Sequence, residues 1–387
     1  MAIIDAAIVR PQVIQMNLSD SLGSFLAEDL HSNRDVPPFD KSLMDGYAVR
    51  ASDIQTIPCE LVVVGSVAAG ESAAAALQAG QAMGIMTGAP MPAGADAVVP
   101  VEATRTARGS NRVTIREKAA GGRFIARRGS DAAGGSVVLK CGKRIGPAQI
   151  AVAASIGAVH LPVFAPPSVA VLGTGDELVT PEQMPAGSQI RSCNNAMLLA
   201  LLRRFPCRAI DLGIVRDEPA AIEEKIKLGL SHDILLVTGG MSMGERDFVP
   251  EILRRLGGDL KITKLRIKPG KPFVFAELPG GKFAFGLPGN PVSAFVCTIC
   301  LVSRLIMRMA GGPAAHRVSV APLSRGLEAN GPRVFYQPAI FDGRMLAPLQ
   351  WKGSADIFTL SQANSLMIRP ENQPAQPAGA AMEFIEI

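Results

Sequence analysis

Aromatic residues are scarce in this 387-residue chain: 15 Phe, 2 Tyr and one Trp. Surfaces that stack nucleic-acid bases need more of them. A net charge of only +5 suits an anionic small molecule as well as a polymer, so no nucleic-acid partner is expected. The four histidines, His31, His160, His232 and His316, lie far apart with no HExxH or HxH spacing, which argues against an imidazole-built metal centre. Six cysteines do not make a disulfide framework in a chain of this length, and a reducing, cytoplasmic setting is expected. The longest uncharged apolar run, around residues 292–303, ends at Arg304. It reads as too short to span a bilayer. The N-terminus carries Asp5 early and has no basic n-region, so neither a secretory signal nor a membrane partner is expected.

What the chain does have is apolar residues (48%), 39 Gly and 29 Pro: enough to pack cores, cut by many turns. At about 100–200 residues per domain, the length allows two to four domains. Ser19 or Asp20 can cap a short helix running to about Glu28. The stretch DVPPFDKSLMDGYAVRASD, residues 35–53, reads as an irregular loop. From residue 61 to about 114, short β-type runs alternate with Gly/Pro turns and predict a small, mostly β domain. Residues 146–158 read as a helix started by Pro and closed by Gly. After Ala165-Pro166-Pro167 the pattern changes to strand–helix alternation: SVAVLG, NNAMLLALLRR (Asn as N-cap), RAIDLGIV, PAAIEEKIKLGL, DILLVTGG, DFVPEILRRLGG, KITKLRIK, KFAFGLPG and the long apolar NPVSAFVCTICLVSRLIMRM. This predicts a doubly wound α/β domain with a parallel sheet. The residues after Gly311-Gly312-Pro313 predict a small β domain.

Ligands of open parallel sheets sit off the carboxyl ends of the strands, and here those ends carry unusual loops. They are GTGDEL (Gly173, Thr174, Gly175, Asp176, Glu177), TGGMSMGERD (Gly239, Gly240, Ser242, Asp247), KPGK (Lys268, Lys271) and LPGNPVS (Pro288, Asn290, Pro291, Ser293). Glycine turns and helix starts let backbone N–H groups approach phosphate, and the lysines add charge. A plain tight turn would account for any one of these loops; four at one sheet edge suggest an anionic, phosphate-bearing ligand. Acids on the same edge, Asp176, Glu177, Asp217 and Asp247, make sense if a divalent cation such as Mg²⁺ lies between carboxylate and phosphate. Asp217 would equally serve as a helix N-cap. Elsewhere Asp45 (MDGYA), Thr87 (MTGAP) and Arg127, Arg128 and Asp131 (RRGSD) stand in turns; the arginines suit an oxyanion, although a solvated basic pair is the simpler account. The Cys297–Cys300 CxxC lies inside an apolar helix and reads as buried small hydrophobes. Met241 and Met243 read as loop packing.

Taken together, the segments DVPPFDKSLMDGYAV, IMTGAPMPAGADAVVPVE, RRGSD, VLGTGDELV, TGGMSMGERDF, KPGKPFVFA, GLPGNPVSAF and GSADIFTLSQANSL resemble the molybdopterin molybdenumtransferases, which are similar to the C-terminal domain of gephyrin. The resemblance implies four parts. A mixed linker domain is split between 1–30 and 128–165, and a β-rich domain, 31–127, is inserted into it. A molybdopterin-binding α/β domain covers 166–314, and a C-terminal β barrel covers 315–387. It implies a homodimer whose cleft lies between the α/β domain of one subunit and the inserted domain of the other. It also implies a reaction in which molybdate and adenylylated molybdopterin give molybdenum cofactor and AMP, with transient contact to molybdopterin adenylyltransferase and molybdoenzymes. On that reading Asp217 and Asp247 serve Mg²⁺ or substrate. Glu177 with Asp176 serves the α/β side of the cleft. Asp45, Thr87 and Asp131 assist metal insertion or water activation from the partner side, and Lys268, Lys271, Arg127 and Arg128 attract molybdate. Lys41 and Ser192-Cys193 depart from the family pattern. A non-catalytic pterin carrier or scaffold and a molybdopterin adenylyltransferase are the competing readings.

Overall fold

In the computed structural model, residues 1–240, 248–315 and 317–387 are described. They form two compact units. One comprises Asn17–Leu22 and Glu28–Leu161; the other comprises Met1–Met16, Gly23–Ala27 and Pro162–Ile387.

The first unit is built on a six-stranded sheet of β1 (Gly46–Val49), β2 (Cys59–Val67), β3 (Gln81–Ile85), β4 (Ala97–Pro100), β5 (Thr104–Arg105) and β6 (Arg112–Ile115), in the order β4-β1-β3-β2-β6-β5. Its apolar residues alternate between two clusters, with Val49, Val99 and Val113 in one and Ala48, Val98 and Ile85 in the other, as the period-2 geometry of a strand requires. The 35–53 stretch is thus not wholly irregular, because β1 lies in it as an interior strand and Lys41–Ser42 pairs with Ile125–Ala126. Its turn residues sit before the strand and hid it. No helix runs from Ser19 to Glu28: a single 3₁₀ turn, Leu18–Asp20, is followed by Gly23 at φ 84°, which breaks the path. In the second unit Phe25 and Leu26 are buried, and Leu26 bridges Val163 in β fashion.

The second unit holds the α/β sheet: β7 (Ser168–Thr174), β8 (Arg208–Val215), β9 (Ile234–Thr238), β10 (Asp259–Lys264), β12 (Pro272–Leu278) and β13 (Lys282–Leu287), in the order β8-β7-β9-β13-β12-β10; β11 is the short Ile267–Lys268. β7 and β9 are buried along their whole length, and their continuous apolar runs are what a strand covered on both faces needs. Alternate residues feed opposite clusters. Val169, Val171 and Leu236 meet helices α1 (Asn194–Leu202) and α4 (Pro291–Met309) on one face. Ala170, Leu172 and Val237 meet α2 (Pro219–Gly229) and α3 (Phe248–Arg255) on the other. The sheet is mixed, not parallel throughout. β8, β7, β9 and β13 run parallel; β12 is antiparallel to β13, and the edge strand β10, antiparallel to β12, runs again in the direction of the other four. β12 comes from KPFVFAEL, whose hairpin link to β13 is only the short Pro279–Gly281 turn, too tight for a crossover helix. The expected KITKLRIK strand splits, and its end, β11, joins the C-terminal sheet. The residue capping α1 is Cys193, and no side-chain cap bond forms there.

Helix α4 spans nineteen residues with mean hydropathy 1.7, and 72% of its most apolar stretch is buried. By length and composition it is sufficient to cross a bilayer, a correction to the expectation from its shorter uncharged run. In this fold it is packed: Val292, Val302, Leu305 and Ile306 are fully buried, each worth about 1.5–3 kcal/mol over an exposed position. Between Thr298 and Val302 it widens to a π turn, where the Thr298 and Ser303 hydroxyls donate to the carbonyls four residues back. Cys297 and Cys300 lie in this buried stretch.

After α4, strands β14 (Ser319–Pro322), β15 (Val334–Phe341), β16 (Leu346–Pro348), β17 (Ser365–Arg369) and β18 (Ala381–Glu386) pair in the order β11-β15-β17-β18-β14, with β16 on β15. A bridge from Leu323 to Leu346 links the end of β14 back to β16, so the sheet curls into a nearly closed barrel.

Candidate functional site

β7, β9 and β13 are neighbours in register, with Gly173 opposite Thr238 and Thr238 opposite Leu287. Their loops therefore leave the sheet side by side. The chain turns sharply at each end because the sequence supplies glycine there. Gly239 has φ 91°, and a Cβ on it would lie 2.3 Å from the Thr174 carbonyl oxygen. The two loops thus touch backbone to backbone, a contact no other residue allows.

Above these ends lies a cavity of about 770 Å³. Gly175, Gly239 and Gly240 form part of its floor, Glu177 and Asp217 bring carboxylates, and Asn290 and Pro291 open helix α4 onto it. The Asn194 amide donates to the Gly289 carbonyl at 2.7 Å and holds the LPGN turn in place. Asp217 donates its backbone N–H to the Asp176 carboxylate at 3.1 Å, so the two acidic loops are joined. The short helix Ile357–Leu360, capped by Asp356, sets Ile357 and Phe358 on the cavity wall. Hydrogen bonds from Thr359 and from the Lys352 N–H hold the Asp356 carboxyl below its usual range.

Pro272, Pro288 and Asn290 are shared with a second cavity of about 400 Å³. It is lined by Lys268, Lys271, Arg333 and Lys352 and by no carboxylate among the described residues. None of these four cations stands within ion-pair distance of a described carboxylate, although the Lys352 charge is felt by Asp356, and together they favour an anion. Lys268 Nζ stands 4.6 Å from the Phe335 ring centre and 5.5 Å from that of Trp351, a cation held over two aromatic faces. The Trp351 indole N–H is buried without an acceptor among the described residues. Ser293 and Ser354 add hydroxyls, and Asn290 donates to Ser354 at 2.9 Å, tying the two cavities together. Backbone N–H groups, hydroxyls and cations around a space of this size suit a tetrahedral oxyanion.

Comparison with known proteins agrees with this geometry. The model of the "MoeA N-terminal region (domain I and II)" matches residues 1–157, and that of the "Probable molybdopterin binding domain" matches 170–308. A molybdopterin molybdenumtransferase of Haemophilus influenzae is 38% identical over 78% of this chain and 74% of its own length. One from Bacillus subtilis is 32% identical over 96% of this chain and 89% of its own. The chain belongs to the molybdopterin molybdenumtransferase family. The molybdopterin biosynthesis MoeA protein of Pyrococcus horikosii superposes with a TM-score of 0.83 at 30% identity, covering 100% of this chain and 97% of that one. Molybdopterin molybdenumtransferases are transferases, and the fold is theirs.

The structure brings together most of the expected α/β residues. Thr174, Gly175, Glu177, Asp217, Gly239, Gly240, Pro288, Asn290 and Pro291 line the central cavity, and Lys268, Lys271 and Ser293 line the basic one. Gly173 lies beneath, where a Cβ would meet Asn195 Oδ1 at 2.9 Å. Asp176 borders a third cavity beyond Gly175. Ser242, Asp247, Met241, Met243 and His316 lie outside the described residues.

In the other unit Asp45 and Thr87 meet. β1 and β3 pair antiparallel with Gly46 opposite Ile85, which sets Asp45 beside Thr87. Its Oδ1 accepts from the Thr87 N–H at 2.6 Å and the hydroxyl at 2.8 Å, and these bonds lower the Asp45 pKa. Gly46 is required there, since a Cβ would lie 2.1 Å from the Val99 carbonyl oxygen. Arg127 is paired to Asp40 at 2.6 Å and Arg128 to Asp35 at 2.6 Å. Both guanidinium charges are thus already answered by carboxylates, and the pairs knit DVPPFD to RRGSD. Asp131 is exposed, its N–H donating to the Val36 carbonyl.

Several residues of the cavities carried little signal. Trp351 was visible only as the single tryptophan, and Ser354 and Phe358 lie in the quoted C-terminal segment. Arg333 and Lys352 had none, because β-domain folding alone brings them beside KPGK.

Proposed function

We propose that the chain inserts molybdenum from molybdate into molybdopterin presented in its adenylylated form, releasing AMP. One observation carries this reading: a cavity lined by four cations and no described carboxylate, with an orphaned indole N–H, shares a wall with a glycine- and acid-lined cavity at the strand ends. An oxyanion and a phosphate ester would then lie side by side, which is what moving a metal from one to the other needs.

In this reading Lys268, Lys271 and Arg333 hold molybdate oxygens, with the Trp351 N–H donating to one of them. The backbone at Gly175, Gly239 and Gly240 faces the pyrophosphate. Water adds to the pyrophosphate bond, leaving AMP and the phosphate monoester of the pterin; the two dithiolene thiols form Mo–S bonds as one molybdate oxygen leaves with their two protons as water, with no change of oxidation state. Glu177 and Asp217 are too few for a protein-only cage and fit Mg²⁺ bound jointly with phosphate oxygens. When bound, the ion would neutralise charge on the departing AMP. Asp45, fixed by Thr87, belongs to a second catalytic surface, which a homodimer would present to the partner's strand-end cavity.

The test is incubation with adenylylated molybdopterin, Mg²⁺ and molybdate. AMP release that falls at least 100-fold in Asp217→Asn, with the variant folded, supports the reading. Binding without turnover supports a carrier, and ATP consumption with free molybdopterin supports an adenylyltransferase.

A further inference from the structure

Arg369 ends the apolar strand β17, SLMIR. Arginine is almost never buried unless it is paired, yet only 7% of Arg369 is exposed. Its guanidinium donates to the Gln337 side-chain carbonyl at 3.1 Å and to the Glu328 main-chain carbonyl, and its Nε–H is buried without an acceptor among the described residues. Both partners are neutral oxygens. Burial lowers the Arg369 pKa, and no neighbouring carboxylate raises it. A buried ion with no counter-ion is costly, and an arginine cannot shed its proton to escape that cost.

The strand register shows where the charge acts. Lys268 of β11 is opposite Phe335 of β15, and Phe335 is opposite Arg369 of β17, so the three side chains rise from one face of the barrel sheet. The buried Phe335 ring lies between two cations, with Lys268 Nζ 4.6 Å and the Arg369 guanidinium carbon 5.8 Å from its centre. Trp351 packs on the same ring with centres 5.1 Å apart. Lys268 and Trp351 line the basic cavity, whereas Arg369 stands one strand further back.

We propose that Arg369 is a buried positioning charge for the oxyanion: it raises the positive potential of the basic cavity from behind Phe335 without touching the anion. The inference rests on the molybdate reading of that cavity given above. Phe335 and Trp351, not water, fill the space between the guanidinium and the cavity, so the field reaches it through an effective dielectric of about 20 where bulk water would give about 80. The separations are also shorter than the screening length of about 10 Å in 0.1 M salt. Two cations over one ring repel each other, and an anion beside Lys268 relieves both.

Gln337 is the position from which the charge can be cancelled without removing it. Its Oε1 accepts from Arg369, and its Nε2 donates to the Leu349 carbonyl at 3.1 Å, two residues before Trp351. Gln337→Glu keeps the acceptor and the shape while setting a carboxylate on the guanidinium. Gln337→Met removes both bonds and adds no charge.

The experiment titrates the full chain with molybdate by calorimetry. Gln337→Glu should weaken binding about tenfold, with no loss of stability in urea. The emission maximum of Trp351, the only tryptophan, should not move in the unliganded variant. Arg369→Met should weaken binding to a similar extent; if it does not fold, Gln337→Glu decides alone. Gln337→Met should bind within about threefold of wild type. A merely structural role predicts the reverse order, because pairing the buried charge would leave the cavity intact and loss of the amide would not. Wild-type affinity in Gln337→Glu, an equal loss in Gln337→Met, or a shifted indole emission alongside the loss overturns the assignment. If the wild-type chain binds no molybdate, the reading of the cavity falls together with this inference; if it binds and Gln337→Glu binds equally well, only this inference falls.

Discussion

Replacing Lys268 by Met keeps the length of the side chain and removes its charge. Lys268 is one of four cations on the basic cavity, and its ammonium stands 4.6 Å from the centre of the Phe335 ring. A hydrogen bond to a charged group contributes about 1.5–3 kcal/mol, and each 1.4 kcal/mol is tenfold in affinity. Molybdate binding should therefore weaken by roughly 10- to 100-fold. Binding should persist at that level, because Lys271, Arg333 and Lys352 keep the sign of the field. Folding should suffer little: the side chain is exposed, and a cation over an aromatic face at such a site is worth about 0.5–1 kcal/mol. Calorimetric titration with molybdate at low ionic strength measures the first effect and urea unfolding the second. Lys261→Met is the control, since Lys261 is already paired with Asp259 on a strand away from the cavity. Molybdate affinity within twofold of wild type in Lys268→Met, or an equal loss in the control, would refute the reasoning.

Gly239→Ala should destabilise the protein by about 2–4 kcal/mol in urea unfolding, since it combines a left-handed backbone with a Cβ 2.3 Å from the Thr174 carbonyl oxygen; wild-type stability would show that the two turns do not touch. Asp5 is paired with Arg304, whose hydrogen bond and charge lower its pKa. A carboxyl with a depressed folded pKa contributes stability above its unfolded pKa and loses it as pH falls through the folded one. Asp5→Asn should therefore cost roughly 1–2 kcal/mol at pH 7, with the gap to wild type closing below about pH 4; a pH-independent gap would contradict this. Burial pushes the Cys300 thiol up to about 12 and raises that of Cys297 as well. Iodoacetamide should modify exposed Cys193 within minutes in native protein and reach Cys297 and Cys300 only on unfolding, as read by mass spectrometry.

The α/β core was legible because its signals are local. The continuous apolar runs of β7 and β9 mark strands covered on both faces, and the glycines after them mark the edge that carries the central cavity. The antiparallel β12 was missed because KPGKPFVFAEL opens with turn residues that drew attention from the apolar run behind them. The acids and lysines that line the cavities were legible as charge placed beside glycine at the strand ends. Arg333, Trp351 and Lys352 were not, because their place beside Lys268 depends on β11 leaving the α/β sheet to pair with β15, a long-range register that no local pattern encodes. The arginines of RRGSD showed the opposite limit: their charge was visible, but not that Asp35 and Asp40, about ninety residues earlier, answer it.

The most direct test counts AMP released and molybdenum bound to pterin in the same reaction, with and without molybdate. The account predicts one AMP for each molybdenum inserted. Molybdenum insertion with no AMP, or AMP release with no metal on the pterin at saturating molybdate, would contradict it.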